Sequence, residues 1–241
     1  MTASKNPARP DRAPRPALGL LMLQTAFPRP VGDVGNPASH DFPVLTRVVP
    51  GASPERVVQG AADGLLEPFV EAARALVRDG AIGIATSCGF LTPLQAELAA
   101  RLPVPVAVSS LLQVPWVERC LAPGARCGVI TIDAASLTPA HLRAVGAAPD
   151  TPIVGMPPDG AFRAAILGNR AELDARASRA ELLDAGRRLR ERHPQVRAIV
   201  LECTNMPPYQ AALQSALACP VYDVNSLLAW FWAGLAPRHY R

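Results

Sequence analysis

The chain carries a partial copy of itself. When Cys88 is set on Cys203 and both stretches are read forward without a gap, Pro93 meets Pro208, Gln95 meets Gln210 and Ala96 meets Ala211. Further on, Leu98 meets Leu213, Leu102 meets Leu217, Pro105 meets Pro220 and Val106 meets Val221. With the cysteines that makes eight identities in nineteen positions, and backward Ile84 meets Ile199. Alanine- and leucine-rich helices match one another easily by chance. The force of the match is that the cysteines and both prolines keep register. Each copy reads strand, cysteine, turn, helix, proline, strand, so the chain is expected to build two equivalent lobes. Each lobe presents one thiol where a strand ends and a helix begins.

The rest of the chain agrees with that plan. Apolar, β-branched runs that read as strands lie at Leu18–Leu23, Val44–Val49, Ala81–Ala85, Val104–Val108, Gly128–Ile132, Pro152–Val154, Val196–Leu201 and Pro220–Val224. Several are apolar throughout, as parallel strands covered on both faces are. Between them, Leu66, Phe69, Val70, Ala73, Leu76 and Val77 follow helical spacing, and Asp79-Gly80 closes that helix. Thr92-Pro93-Leu94-Gln95 reads as a capped helix start, with Thr92 as N-cap and Pro93 at the first helical position. Regular alternation of strand and helix predicts an α/β fold of two pseudosymmetric lobes, each a mostly parallel sheet flanked by helices. The boundaries expected are a Pro/Arg-rich disordered tail over 1–16, lobe 1 over 17–110 with 224–241 returning to it, and lobe 2 over 111–223. The site belongs beyond the carboxyl ends of the strands, in the cleft between the lobes.

Composition removes several alternatives. The formal charge is +4, but the tail alone holds Lys5, Arg9, Arg12 and Arg15 against Asp11, which leaves +1 for the remainder. A nucleic-acid binder would concentrate that charge on a folded face, so no nucleic-acid partner is expected. The arginines at 187, 188, 190 and 192 are interleaved with Glu191 and read as a solvated helix face. Five cysteines without a CxxC pair and four scattered histidines (His40, His141, His193, His239) give neither a disulfide framework nor a zinc site. Free thiols fit a reducing compartment. The apolar run Ala17–Leu23 is too short for a secretion signal or a membrane span and lacks a cleavage site. A cytoplasmic location and no membrane partner follow as expectations. Lys5 is the only lysine, so neither a pyridoxal Schiff base nor a Walker A phosphate loop can be built in the folded part. Gly32–Gly35 lacks dinucleotide-fingerprint spacing as well. No cofactor and no metal are expected.

Buried structural thiols are common, and that reading suits Cys120, Cys127 and Cys219. Cys88 and Cys203 differ, because each stands in a polar shell at a strand end: Thr86-Ser87-Cys88-Gly89 and Glu202-Cys203-Thr204-Asn205. Amides at a helix start favour a thiolate, so both thiols are expected below the usual pKa of about 8.5, and the same amides can grip a carboxylate.

With Cys88 in Thr-Ser-Cys-Gly-Phe and Cys203 in Glu-Cys-Thr-Asn, the chain resembles the aspartate/glutamate racemase superfamily over nearly everything after the tail. The resemblance makes these two the catalytic cysteines. It implies pseudosymmetric lobes, a cleft site, no cofactor and often a homodimer. The amino-acid racemases usually carry Asp-Ser at the end of the first strand, Asn-Thr after the first cysteine and Thr-His after the second. Here Gln24-Thr25, Gly89-Phe90 and Thr204-Asn205 stand instead. On this resemblance the chain is a cofactor-independent racemase or epimerase acting on an amino acid or related small acid. One thiolate removes the proton from a carbon next to a carboxylate or carbonyl, and the other thiol returns one to the opposite face. Substrate-binding candidates are Gln24, Thr25, Arg29, Asn36, Ser87, Gly89, Phe90, Ser109, Ser110, Thr204 and Asn205, with Asn225 beside them. The amides of Gly89 and Thr204 and the hydroxyls of Ser87 and Thr204 are assigned to the carboxylate. The rival readings are a cysteine-dependent decarboxylase or cis–trans isomerase on the same scaffold, or a non-catalytic protein that binds a small ligand.

Overall fold

The computed structural model describes residues 16–60 and 62–238. The tail expected over 1–16 therefore lies almost wholly outside the described residues, as does His239. Among the described residues eight strands form two sheets: β1 (Ala17–Met22), β2 (Val44–Val48), β3 (Ala81–Thr86) and β4 (Val106–Ala107) in the first, β5 (Arg126–Thr131), β6 (Ile153–Gly155), β7 (Val196–Leu201) and β8 (Val221–Tyr222) in the second. Their spatial orders are β2-β1-β3-β4 and β6-β5-β7-β8, and every pairing is parallel. Around them run α1 (Pro54–Val58), α2 (Leu66–Arg78), α3 (Gln95–Arg101), α4 (Val114–Arg119), α5 (Pro139–Ala144), α6 (Ala161–Ile166), α7 (Ala175–Arg192), α8 (Gln210–Leu217) and α9 (Val224–Leu235).

The repeat in the sequence is a repeat of hydrogen bonds. Gln95 donates its amide to the carbonyl of Val106 at 2.9 Å, and Gln210 does the same to Val221 at 2.7 Å. The Ile84 N–H reaches Pro105 O, and the Ile199 N–H reaches Pro220 O, both at 2.9 Å. Even the irregularity recurs: register shifts at Ala17/Leu18 against β3 and at Arg126/Cys127 against β7. Leu98 and Leu213, the matched helix residues, are both fully buried. The glutamine ties each helix to the strand that follows it, which explains why the residue keeps its place in both copies.

Local reading misplaced two details. Thr92 is not a cap. Cys88 itself is the N-cap of a 3-10 helix over Gly89–Leu94, Pro93 lies inside that helix, and α3 starts only at Gln95. Thr92 turns inward, where its buried hydroxyl has no partner. Val224 belongs to α9 rather than to a strand, because Asp223 caps the helix by accepting from the Ser226 N–H and ends β8 early. That last helix packs on β3 of the first lobe, where a Cβ on Gly83 would run into Phe231 and Leu235. The arginine-rich segment is the outer face of α7, with Arg188 paired to Asp184 one turn back and Arg190 donating to Leu217 O.

Candidate active site

Both cysteine turns leave the carboxyl ends of the central strands. Ser87 N–H bonds Leu21 O as β3 ends, and Glu202 N–H bonds Ile130 O as β7 ends, each at 2.9 Å. Thr86 then folds its hydroxyl back, donating to Val108 O at 2.6 Å, and so turns the chain at Cys88. Across the interface Thr204 Oγ1 donates to Ser87 O at 2.7 Å, and the Val34 N–H donates to Thr204 O. Phe90 packs edge-on against His141 of α5. These ties set both thiols, Cys88 and Cys203, on the wall of one cavity. It is lined further by Thr25, Phe27, Arg29, Ser87, Gly89, Phe90, Glu202, Thr204 and Asn205. The free space is about 20 Å³, enough for about one water, so substrate entry requires the walls to part.

Of the residues singled out from sequence, Gln24, Asn36, Ser109, Ser110 and Asn225 do not line this cavity. Gln24 accepts from the Gly51 N–H, Asn36 caps a short 3-10 helix and donates to Arg29 O, and Ser109 caps the turn at Leu111. Ser110 donates to Leu201 O, and Asn225 donates to Gly32 O. All five hold backbone. Within the cavity the hydroxyls of Ser87 and Thr204 are also engaged: Ser87 Oγ accepts from the Leu23 N–H at 3.0 Å, and Thr204 bridges the lobes. Thr204 has spent its one hydroxyl proton and cannot donate to a carboxylate in this arrangement, whereas Ser87 only accepts and keeps its O–H for a ligand beside the backbone amides. Arg29 lies over the Phe27 ring, 4.8 Å from its centre, and pairs with Asp33 at 2.7 Å while donating to Thr25.

Two acids that the sequence reading passed over decide the electrostatics. Asp33 is buried and binds both Arg29 and the Asn205 amide, the latter at 2.6 Å. Glu202 is 1% exposed, lines the cavity and accepts from the Thr131 hydroxyl at 2.8 Å. Burial pushes its carboxyl up from 4.5 to about 7, against the hydrogen bonds that lower it. The signal for Glu202 was present as a charged residue at the end of an apolar strand. For Asp33 it was only the i, i+4 spacing from Arg29.

The expectation of acidic thiols is not met. Amides do point at the sulfurs, Phe90 N–H at Cys88 and Asn205 N–H at Cys203, and they lower both pKa values. Burial and then the neighbouring Glu202 charge outweigh them, and both thiols are raised far above their ordinary range. A pair of helix-start hydrogen bonds cannot offset removal of a thiolate from water into an apolar wall that also carries a carboxylate.

Gly89 is required by closeness. A Cβ there would overlap both the carboxyl and the carbonyl oxygen of Glu202 in the opposite lobe. Gly89→Ala is expected to cost about 1–3 kcal/mol by overpacking, read as a drop in melting temperature, and to change the reactivity of Cys88 beside it. An unchanged melt would show that the lobes sit farther apart than described.

A family model of Asp/Glu/hydantoin racemases matches residues 112–232. Dimethylsulfoniopropionate lyase 3 of Emiliania huxleyi is 33% identical over 230 residues, which cover 90% of this chain and 60% of that protein. Dimethylsulfoniopropionate lyase 7 of the same organism is 30% identical over 234 residues, covering 89% and 67%. The chain thus spans about 60% of the length of the first of these relatives. Among solved structures, a liganded double mutant of arylmalonate decarboxylase superposes with a TM-score of 0.64 at 19% identity, over 94% of each chain. Picrophilus torridus aspartate racemase superposes with a TM-score of 0.52 at 13% identity, over 93% of this chain and 96% of that one. At such identities the superpositions speak for the shared two-lobed fold.

Proposed function

Since the chain belongs to the Asp/Glu/hydantoin racemase family, a family of enzymes, we propose that it breaks a C–H bond next to a carboxylate with a cysteine thiolate and eliminates a β-sulfonium group, as a lyase of dimethylsulfoniopropionate or a close analogue. One observation carries the choice of substrate: Glu202 is buried beside two thiols, and Arg29, the one cationic side chain among the described lining residues, is already paired with Asp33. The cavity therefore lacks positive charge. A substrate with a fixed cation supplies it, and a cation within a few ångströms lowers the pKa of a thiol. The site then gains its base only when the substrate is bound.

In that reaction the thiolate takes the proton from the α-carbon and becomes a thiol. The electron pair left behind forms the C=C bond, the bond from the β-carbon to sulfur breaks, and neutral dimethyl sulfide leaves with that bond's electrons. Acrylate remains. The second thiol donates a hydrogen bond to the carboxylate, and amides at the two helix starts take the rest of the negative charge that builds there. The relatives named above for this reaction support the reading.

Racemisation is the second reading, favoured by the placement of two thiols on matching turns of two matching lobes. It uses the same proton abstraction and differs only in the second step, where the other thiol returns a proton. Purified protein given dimethylsulfoniopropionate without added cofactor is expected to release dimethyl sulfide and acrylate in equal amounts, followed by gas chromatography and proton NMR. No sulfide, together with inversion of an amino or hydroxy acid enantiomer, would replace the lyase reading with the racemase one.

A further inference from the structure

Asp33 has two oxygens in two different settings. Its Oδ1 accepts from Arg29 at 2.7 Å and from the Gly35 N–H at 2.8 Å. Among the described residues its Oδ2 hydrogen-bonds only to the side chain of Asn205, at 2.6 Å. A carboxylate held by arginine has no proton to give, so Asn205 must offer its NH₂ end to Asp33. Turned the other way, two acceptor oxygens would face each other inside a buried site. The amide oxygen of Asn205 is thereby pointed at Cys203 Sγ, 3.4 Å away. An amide oxygen only accepts, so the sulfur opposite it must carry its proton. Both sulfurs receive a backbone N–H, Phe90 at Cys88 and Asn205 at Cys203; Cys88 differs in that among the described residues no side-chain acceptor hydrogen-bonds to it.

We propose that Asp33 and Asn205 are a positioning pair that holds Cys203 as the proton-donating thiol and leaves Cys88 to act as the base. The proposal rests on the two-thiol reading of the site and gives each thiol its part. Cys88 as thiolate takes the α-proton. Cys203 keeps its proton through an elimination, donating to the carboxylate oxygen, or passes it to the opposite face in a racemisation. Cys88 then returns the captured proton to water. The charged and titratable groups that face Cys203 are Glu202, Cys88 and Asp33, with Arg29 behind Asp33.

The test is needed on thiols, not on turnover, so its failure is distinct from failure of the substrate assignment. Iodoacetamide is pulsed onto the folded protein at pH 8.5, and alkylation of Cys88 and Cys203 is read separately by peptide mass spectrometry. In the wild type Cys88 is expected to react before Cys203. Asp33→Asn changes one atom of the pair. Arg29 and Gly35 keep the amide oxygen at the Oδ1 position, so the new NH₂ faces Asn205 and turns that side chain over. Cys203 then meets a donor, and its alkylation should speed up by about tenfold or more, as for a pKa lowered by about one unit, while Cys88 stays within about twofold. Losing the Asp33 charge alone would also help Cys203. The double variant Asp33→Asn/Asn205→Ala separates the two effects and should lose most of the gain. An equal gain in the double variant, an equal gain at Cys88, or no gain overturns the proposal. So does Cys203 reacting first in the wild type, an observation that needs no variant to fold.

Discussion

Replacing either Cys88 or Cys203 by alanine is expected to lower turnover by a factor on the order of 10² to 10⁴, the usual contribution of a positioned acid or base. The two losses should differ in kind. Without Cys88 there is no base, so neither elimination nor exchange of the α-proton with deuterated solvent should be seen by NMR. Without Cys203 the base survives, and slow α-deuteration of recovered substrate is expected although product formation has fallen. Serine variants should be nearly as poor, because a hydroxyl is far less acidic than a thiol. Cys120 is exposed and does not line the cavity, so Cys120→Ala controls for loss of any cysteine and should behave as the parent. A racemase would show exchange of opposite enantiomers in the two alanine variants, whereas a non-catalytic binder would show none in any protein. Full activity in either Cys88→Ala or Cys203→Ala would end the two-thiol mechanism.

The second large effect is on stability and follows from Glu202. Its carboxyl titrates at about 7 in the folded protein and at 4.5 ordinarily. Between those values the folded state holds a proton that the unfolded state has released, so stability falls as pH rises through this window. Below about 4.5 both states are protonated and the effect vanishes. Above about 7 the full loss is present, of order 3 kcal/mol at 1.36 kcal/mol per unit. Glu202→Gln imitates the protonated form at every pH. It should melt near the parent at pH 4.5 and higher than the parent at pH 8, by roughly 6–12 °C for a chain of this size. An identical difference at both pH values would show that the carboxyl is not the titrating group. The same variant should make both thiols more reactive at pH 8, since the Glu202 charge raises each of them. It should also weaken use of a cationic substrate, so a more stable protein would be a poorer catalyst.

The two cysteines, the parallel sheets and the two-lobed plan were open to reading from the chain alone because each rests on local order. Strands buried on both faces must be apolar from end to end. A turn that follows such a strand and opens a helix has a recognisable composition, and a repeated unit repeats its fixed points, as Gln95 and Gln210 do. Interactions within one copy leave a mark in one stretch of sequence. The departures at Thr92 and Val224 are of one turn or less.

The character of the site was decided elsewhere. Glu202 meets Thr131 across 71 residues, and Asn205 meets Asp33 across 172. Nothing in any of these short stretches marks its partner, because the first bond joins the ends of neighbouring strands and the second joins the two lobes, and neither follows from a spacing. The same holds for Thr204, whose hydroxyl looks like a ligand in sequence and in the structure joins the lobes by donating to Ser87 O. The thiol pKa shows the limit most plainly. A helix start acts over one turn and is visible locally, and it acts as expected on both sulfurs. Desolvation is the work of every wall at once, and only the assembled cavity around Cys88, Cys203 and Glu202 makes it the larger effect.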